Sequence, residues 1–169
     1  CPSFPSFANF SMCLSASFVL AAGTQSSPAA TKWWDGSAGS ANSASDNTTT
    51  TAQNWLSGGN WDNGTTSAPL ASWTSGDSAI FGGSATSQTI TAGTITVGNL
   101  TFGEGAQGLG TSGTAYTVSG GTITLSGSTI TSNTPTTINS VLAGSTGLTS
   151  VGSSTLTLGG NNTYTGATV

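Results

Sequence analysis

From residue 76 onward, short runs of apolar residues alternate with threonine or serine, and each run ends at glycine or asparagine. Examples are QTITAGTITVGNLTFG, AYTVSGGTITLSGSTITSN and STLTLGG. Alternation over a few residues is typical of a β-strand with one buried face, and glycine or asparagine marks the turn that follows. The pattern predicts an all-β region made of many short strands.

The breaks between these runs favour a β-solenoid over an antiparallel sandwich. Strand starts recur at roughly ten-residue intervals, and many breaks are a single glycine or a Gly-Gly pair instead of a hairpin turn such as Asn-Gly. Such corners suit a chain that bends from one solenoid face to the next. A repeat of about twenty residues predicts roughly four or five rungs.

Composition divides the chain into three regions. Residues 1–32 are apolar and signal-like, residues 33–75 are rich in tryptophan and turn residues, and residues 76–169 form the predicted solenoid. The first region resembles a secretory signal peptide that lacks a basic start. Alternatively it caps its own domain or inserts into a neighbouring subunit, because its side chains exposed together would form an apolar patch. These side chains are Phe4, Phe7, Phe10, Phe18, Val19 and Leu20.

The tryptophans of the second region have two interpretations. They could form a platform on which a sugar ring stacks. They could instead be buried as a cap over the first rung, with each indole N–H bonded to the backbone. The large apolar area of the indoles favours the cap. The residues are Trp33, Trp34, Trp55, Trp61 and Trp73.

Charged residues are nearly absent: the chain has one Lys or Arg, five Asp or Glu and no His. Binding to nucleic acid or to an anionic membrane needs several cations, and only Lys32 is available, so both partners are excluded. A surface with so few charges also lacks the repulsion that keeps most proteins monomeric. Composition therefore favours self-association.

No pattern of catalytic or metal-binding residues emerges. Asp35, Asp62 and Asp77 each stand beside Gly or Asn, where a role in a turn explains them. Polysaccharide hydrolysis would need converging carboxylates, and a lyase would need a basic residue. We therefore expect no enzyme, no metal site, no cofactor and no small-molecule substrate. The full set of carboxylates is Asp35, Asp46, Asp62, Asp77 and Glu104.

The two cysteines, Cys1 and Cys13, leave three alternatives open. They pair as a disulfide in an oxidising extracellular space, they remain free thiols, or Cys1 carries the lipid of a processed bacterial lipoprotein.

Residues 147–169, GLTSVGSSTLTLGGNNTYTGATV, resemble the autotransporter-associated β-strand repeat. They share its Gly-Leu start, its Thr-Leu-Thr-Leu strand, its Asn-Thr-Tyr-Thr-Gly turn and its returning strand. Upstream, WWDG, NWDNG, GDSAIFGG and TITVGNLTFG resemble the segment that precedes such repeats in large secreted bacterial proteins. The resemblance covers about residues 33–169 and implies a right-handed parallel β-helix at the bacterial cell surface or outside the cell. The matching positions are Leu156, Leu158, Asn162, Thr163, Tyr164, Thr165, Gly166 and Val169.

Leu156 and Leu158 share one strand face and are predicted to point into the core of this repeat. After them, Tyr164 and Val169 lie on a strand edge with no partner, while the apolar segment 1–32 stands at the other end. Unlike ends that meet make a head-to-tail contact, which forms a filament if the rotation does not close. We expect an extracellular homopolymer, with a cell surface or a polysaccharide as its candidate attachment partner.

Two alternative functions compete with the filament. In one, the chain is the N-terminal fragment of a longer autotransporter-like adhesin. In the other, outward Thr-x-Thr motifs order water and bind ice. Irregular spacing between these motifs favours a purely structural use of threonine. The motifs begin at Thr89, Thr94, Thr122, Thr129 and Thr155.

Overall fold

The computed structural model describes residues 29–35, 52–63, 70–82, 87–104 and 115–169. These residues contain fourteen β-strands and no α-helix. Consequently none of them belongs to a helix with the length and apolarity that a membrane span requires.

The strands form three sheets. The strands are β1 (Thr31–Trp34), β2 (Gln53–Asn54), β3 (Trp61–Asp62), β4 (Ser78–Phe81), β5 (Gln88–Thr91), β6 (Thr94–Val97), β7 (Leu100–Phe102), β8 (Tyr116–Ser119), β9 (Thr122–Leu125), β10 (Thr129–Ser132), β11 (Thr136–Ile138), β12 (Val141–Ala143), β13 (Thr149–Val151) and β14 (Leu156–Leu158). Sheet A has the order β13-β10-β7-β4-β1-β3, sheet B the order β14-β11-β8-β5-β2, and sheet C the order β12-β9-β6.

The chain visits sheets A, B and C in turn, and each circuit is one rung. Rung 1 holds β1 and β2, rung 2 holds β4 to β6, rung 3 β7 to β9, rung 4 β10 to β12, and rung 5 β13 and β14. Neighbouring rungs pair in parallel, and the one antiparallel strand pair among the described residues joins β1 to β3. The predicted all-β class is confirmed, and the parallel stacking is that of a β-solenoid.

In-register stacking turns the alternation of each strand into buried columns. In sheet B, Ile90 pairs with Val118 and Val118 with Ile138, and all three side chains are fully buried. In sheet A, the rings of Phe81 and Phe102 stack with their centroids 4.9 Å apart. Burying each such side chain contributes about 1.5–3 kcal/mol, so the interior columns are the main stabilising element of the fold.

Polar side chains also enter the interior where sheet A turns toward sheet B. Gln88 and Tyr116, which pair in register, both donate to the carbonyl of Gly82, at 3.1 Å and 2.9 Å. Burial raises the pKa of the Tyr116 phenol well above its ordinary value, so the side chain stays neutral. The Tyr116 bond ties rung 3 to the residue that follows β4, and the Gln88 bond lies within rung 2.

The corners between sheets stack as closely as the strands. Gly121 lies directly against Gly93 of the preceding rung, and a Cβ on Gly121 would overlap the Gly93 carbonyl. The residue also has a φ of +64°, in the left-handed region that favours glycine. The Gly120-Gly121 corner is therefore a place where two turns of the chain touch.

Replacing Gly121 with alanine should lower the free energy of unfolding by about 2–5 kcal/mol, from backbone strain and overlap with Gly93. Gly76→Ala is the matched control. Gly76 has a φ of +92°, but a Cβ there meets no atom within 4 Å. Gly76→Ala should therefore lower the free energy of unfolding through backbone strain alone, by about 1–3 kcal/mol. Urea unfolding followed by circular dichroism measures both, and equal losses would contradict the assigned contact between corners.

Candidate functional site

The rung-5 end of the stack exposes the interior of the solenoid. Leu158 stacks in register on Ile138, and Leu156 on Thr136. Ile138 and Thr136 are buried, whereas both leucines are only partly buried and pack against the core from one side. Among the described residues β14 has a single neighbouring strand, β11. This end therefore combines an apolar face with an unpaired strand edge.

The last residues of the chain begin a further turn on this end. Thr168 forms a parallel bridge with Leu148, and Ser150 N–H donates to the carbonyl of Val169 at 2.8 Å. Tyr164 is partly buried against the core, and its hydroxyl lies 2.9 Å from that of Thr168. Val169 is 77% exposed. Of the two residues predicted at the edge, the structure thus exposes Val169 and partly covers Tyr164.

At the opposite, rung-1 end the edge of β1 is covered, whereas β2 has β5 as its single neighbouring strand among the described residues. Strand β3 runs antiparallel along β1, and Trp61 in turn bridges to Ala71. Behind this edge lies a cluster of indoles, which we call the Trp cluster. Its ring centroids are 4.7 Å apart for Trp61 and Trp73, and 4.9 Å apart for Trp34 and Trp61. The cluster consists of Trp34, Trp55, Trp61 and Trp73.

Burial removes most of this cluster from contact with solvent. Trp34, Trp55 and Trp61 are fully buried, so they offer no face on which a sugar could stack. The expectation that every indole N–H bonds to the backbone is wrong in part. Trp61 donates to the Trp55 carbonyl at 2.9 Å, but the N–H groups of Trp34 and Trp55 have no partner among the described residues. Edge-to-face packing positions those two rings instead.

The chain's only cation lies inside the same end. Lys32 is 5% exposed, and its Nζ lies 3.4 Å from the Asp77 carboxylate. Lys32 also donates to the Ser72 carbonyl at 2.6 Å and to the Thr74 hydroxyl at 3.0 Å. Ala30 N–H donates to the other Asp77 oxygen at 2.9 Å. The ion pair ties β1 to the segment that follows Trp73.

The other carboxylates do not converge on a cleft. Asp35 and Asp62 are buried near the Trp cluster, and Asp62 belongs to β3 instead of a turn. Glu104 is exposed, and Asp46 lies outside the described residues. Across the described ranges, no group of three or more His, Cys, Asp or Glu side chains could hold a metal ion.

The predicted N-terminal half of the assembly interface, and both cysteines, lie outside the described residues. These positions are Cys1, Phe4, Phe7, Phe10, Cys13, Phe18, Val19 and Leu20.

Threonines on the outer faces align better than their sequence spacing indicates. Sheet B carries one unbroken column of four. On sheet C two Thr-x-Thr motifs stack in register, but Val141 and Ala143 replace them on rung 4. A double threonine column on sheet C therefore extends over two rungs only, which is a small area for binding ice. The column on sheet B is Thr89, Thr117, Thr137 and Thr157.

A groove that sequence reasoning missed lies between the Trp cluster and sheet C. Its volume is about 300 Å³, and no charged side chain lines it. It brings together residues far apart in the chain, from the turn after β2 to strand β9, so no local motif signals it. The residues that line the groove include Leu56, Trp73, Ser75, Thr94, Thr96 and Thr124.

No protein-family model, curated protein or solved structure matches the chain. The resemblance to the autotransporter-associated repeat stays a prediction carried by the residues themselves.

Replacing Lys32 with methionine should lower the free energy of unfolding by about 3–5 kcal/mol, because the Asp77 carboxylate stays buried without its partner. The double variant Lys32→Met, Asp77→Asn should recover part of this loss. Asn keeps an acceptor for Ala30 N–H and removes the unpaired charge. Urea unfolding of the two single variants and the double variant gives the coupling. Additive losses would show that the two side chains do not interact.

Proposed function

We propose that the chain is an extracellular structural protein of bacteria, a right-handed parallel β-helix that assembles head to tail into a filament. The rung-5 end is the joining surface in this proposal, and the Trp cluster is the cap of the other end. The supporting observation is the partial exposure of Leu156 and Leu158, where inner rungs bury the same positions.

Covering this end is favourable on two counts. Completing the burial of a leucine contributes up to about 1.5–3 kcal/mol. An added strand would also pair the outer N–H and C=O groups of β14, which otherwise form a template for another chain. A single strand laid along rung 5 satisfies both requirements.

The two ends are unlike, so the contact between copies is heterologous. At the rung-1 end β3 already pairs with β1. The donor in our proposal is the apolar N-terminal segment of the next copy, in the part that precedes β1. A heterologous contact that does not close into a ring propagates as a filament.

The surface chemistry suits permanent assembly. The only cation is buried in an ion pair with Asp77, and the outer faces of the sheets carry mainly threonine. Little repulsion therefore opposes the approach of a second copy. A buried Lys32 also leaves trypsin-like proteases without an accessible site.

A second candidate is a stalk in a longer autotransporter-like adhesin, in which further rungs cover the same end. The bridge between Leu148 and Thr168 favours it, because the chain already follows the path of a sixth rung with the twenty-residue separation of Thr129 and Thr149.

The filament predicts that the protein sediments as polymers. Electron microscopy should show an axial repeat of about 20–30 Å, four to six strand spacings of about 4.8 Å. Leu158→Lys places a charge on the inward face of the edge strand and should keep the protein monomeric. Thr157→Lys, on the outward face of the same strand, is the matched control and should polymerise like the parent.

Circular dichroism is the control and should show that both variants fold. The filament is contradicted if the parent protein stays monomeric at all concentrations, or if Leu158→Lys polymerises as readily as Thr157→Lys.

The stalk makes a different prediction for a tandem duplication of residues 148–167. The added rung should raise the melting temperature by several degrees, since each interface between neighbouring rungs adds to stability. The parent should remain monomeric in sedimentation. An unchanged or lower melting temperature would show that rung 5 does not accept another rung.

A further inference from the structure

We infer that the groove between the Trp cluster and sheet C binds a neutral saccharide. This site goes beyond the proposed assembly, because none of its lining residues belongs to rung 5. The proposal and the filament can therefore fail separately.

One lining residue of the groove, Leu56, is an exposed apolar side chain. In the described part of the chain, three large apolar residues are exposed: Leu56, Val151 and Val169. Val151 is on the outward face of β13, in register with Thr131, and Val169 lies at the rung-5 end. Leu56 is 49% exposed and lies in the groove, away from that end.

Leu56 is nevertheless held in place. Its backbone N–H donates to the side-chain oxygen of Asn54 at 2.8 Å, which fixes the backbone of the turn. Its side chain packs against Gly93, where a Cβ would lie 3.0 Å from the leucine Cδ1. The groove wall is thus formed in advance of any ligand, which lowers the entropic cost of binding.

An aromatic ring, that of Trp73, also lines the groove. Trp73 is partly buried, and its indole N–H is already committed to the Thr96 carbonyl at 3.3 Å. Contacts with Trp55 and Trp61, at 5.1 Å and 4.7 Å between centroids, fix the ring. A rigid indole gives large contact area at little entropic cost, and a pyranose ring presents a C–H face of matching size.

Hydroxyl groups lie beside these apolar side chains in the groove. Ser75, Thr94, Thr96 and Thr124 line the groove, and their side chains make no hydrogen bond within the described residues. Thr96 and Thr124 pair in register on adjacent strands, about 4.8 Å apart. Apolar walls with a few fixed polar groups are typical of small-ligand sites.

The absence of charge in the groove selects the class of ligand. No Lys, Arg, Asp or Glu lines it, and Lys32 is buried elsewhere. An anionic glycan or a phosphate would gain nothing from such a surface, while a neutral sugar needs only hydroxyl partners and an apolar wall. The volume of about 300 Å³ is at the small end for ligand sites and accommodates one sugar ring.

The test uses the folded protein and neutral hexasaccharides of glucose, N-acetylglucosamine, mannose and xylose, with oligogalacturonate as the anionic comparison. Titration calorimetry and tryptophan fluorescence should detect binding of at least one neutral hexamer and none of the anionic one. Thr94→Val and Thr124→Val keep the side-chain shape and remove one hydroxyl each. Each should weaken binding by about twofold to tenfold.

Thr117→Val, an outward threonine of sheet B, is the matched control and should bind like the parent. Substituting valine also avoids truncating Trp73, whose loss would disturb the Trp cluster. The inference is overturned if no neutral hexamer binds at millimolar concentration, if the anionic one binds more tightly, or if Thr94→Val and Thr124→Val bind as Thr117→Val does.

Discussion

The strands of this fold depend on the rungs next to them. The backbone hydrogen bonds of β5, β8 and β11 run between rungs, and so do the contacts of the buried column that includes Val118. No rung can satisfy its own donors or cover its own apolar face, so stability is a sum of interfaces between neighbours. The two ends of the stack consequently decide what the molecule can do.

The two ends of the stack differ in how their side chains are buried. The rung-1 end contains three fully buried indoles and the only cation of the chain, Lys32, which is paired with Asp77. An antiparallel strand, β3, closes the edge of β1. At rung 5, Leu156 and Leu158 are left partly covered on an open edge. This polarity is what a heterologous contact requires, and it equally suits a stack that grows in one direction.

The strand pattern could be predicted from the sequence because the pattern is local: alternation such as that of β6 needs only four residues. The register between strands could not be predicted in this way. The connection 103–115 between β7 and β8 is much longer than 133–135 between β10 and β11. Threonines that align in space are thus unevenly spaced along the chain, which is why the column containing Thr117 was not foreseen. The ion pair and the groove were missed for the same reason, since both join distant segments.

A surface almost without charge restricts how this protein can recognise anything. Electrostatic steering and charged pairs, which give most interfaces their specificity and speed of association, are not available on sheets covered by threonine. Recognition must come from shape, apolar contact and hydrogen bonding. Those resources are concentrated at the rung-5 end and in the groove beside Trp73. If, as we propose, copies join at the rung-5 end and a neutral sugar binds in the groove, both contacts tolerate the salt and pH changes that would weaken a charged interface.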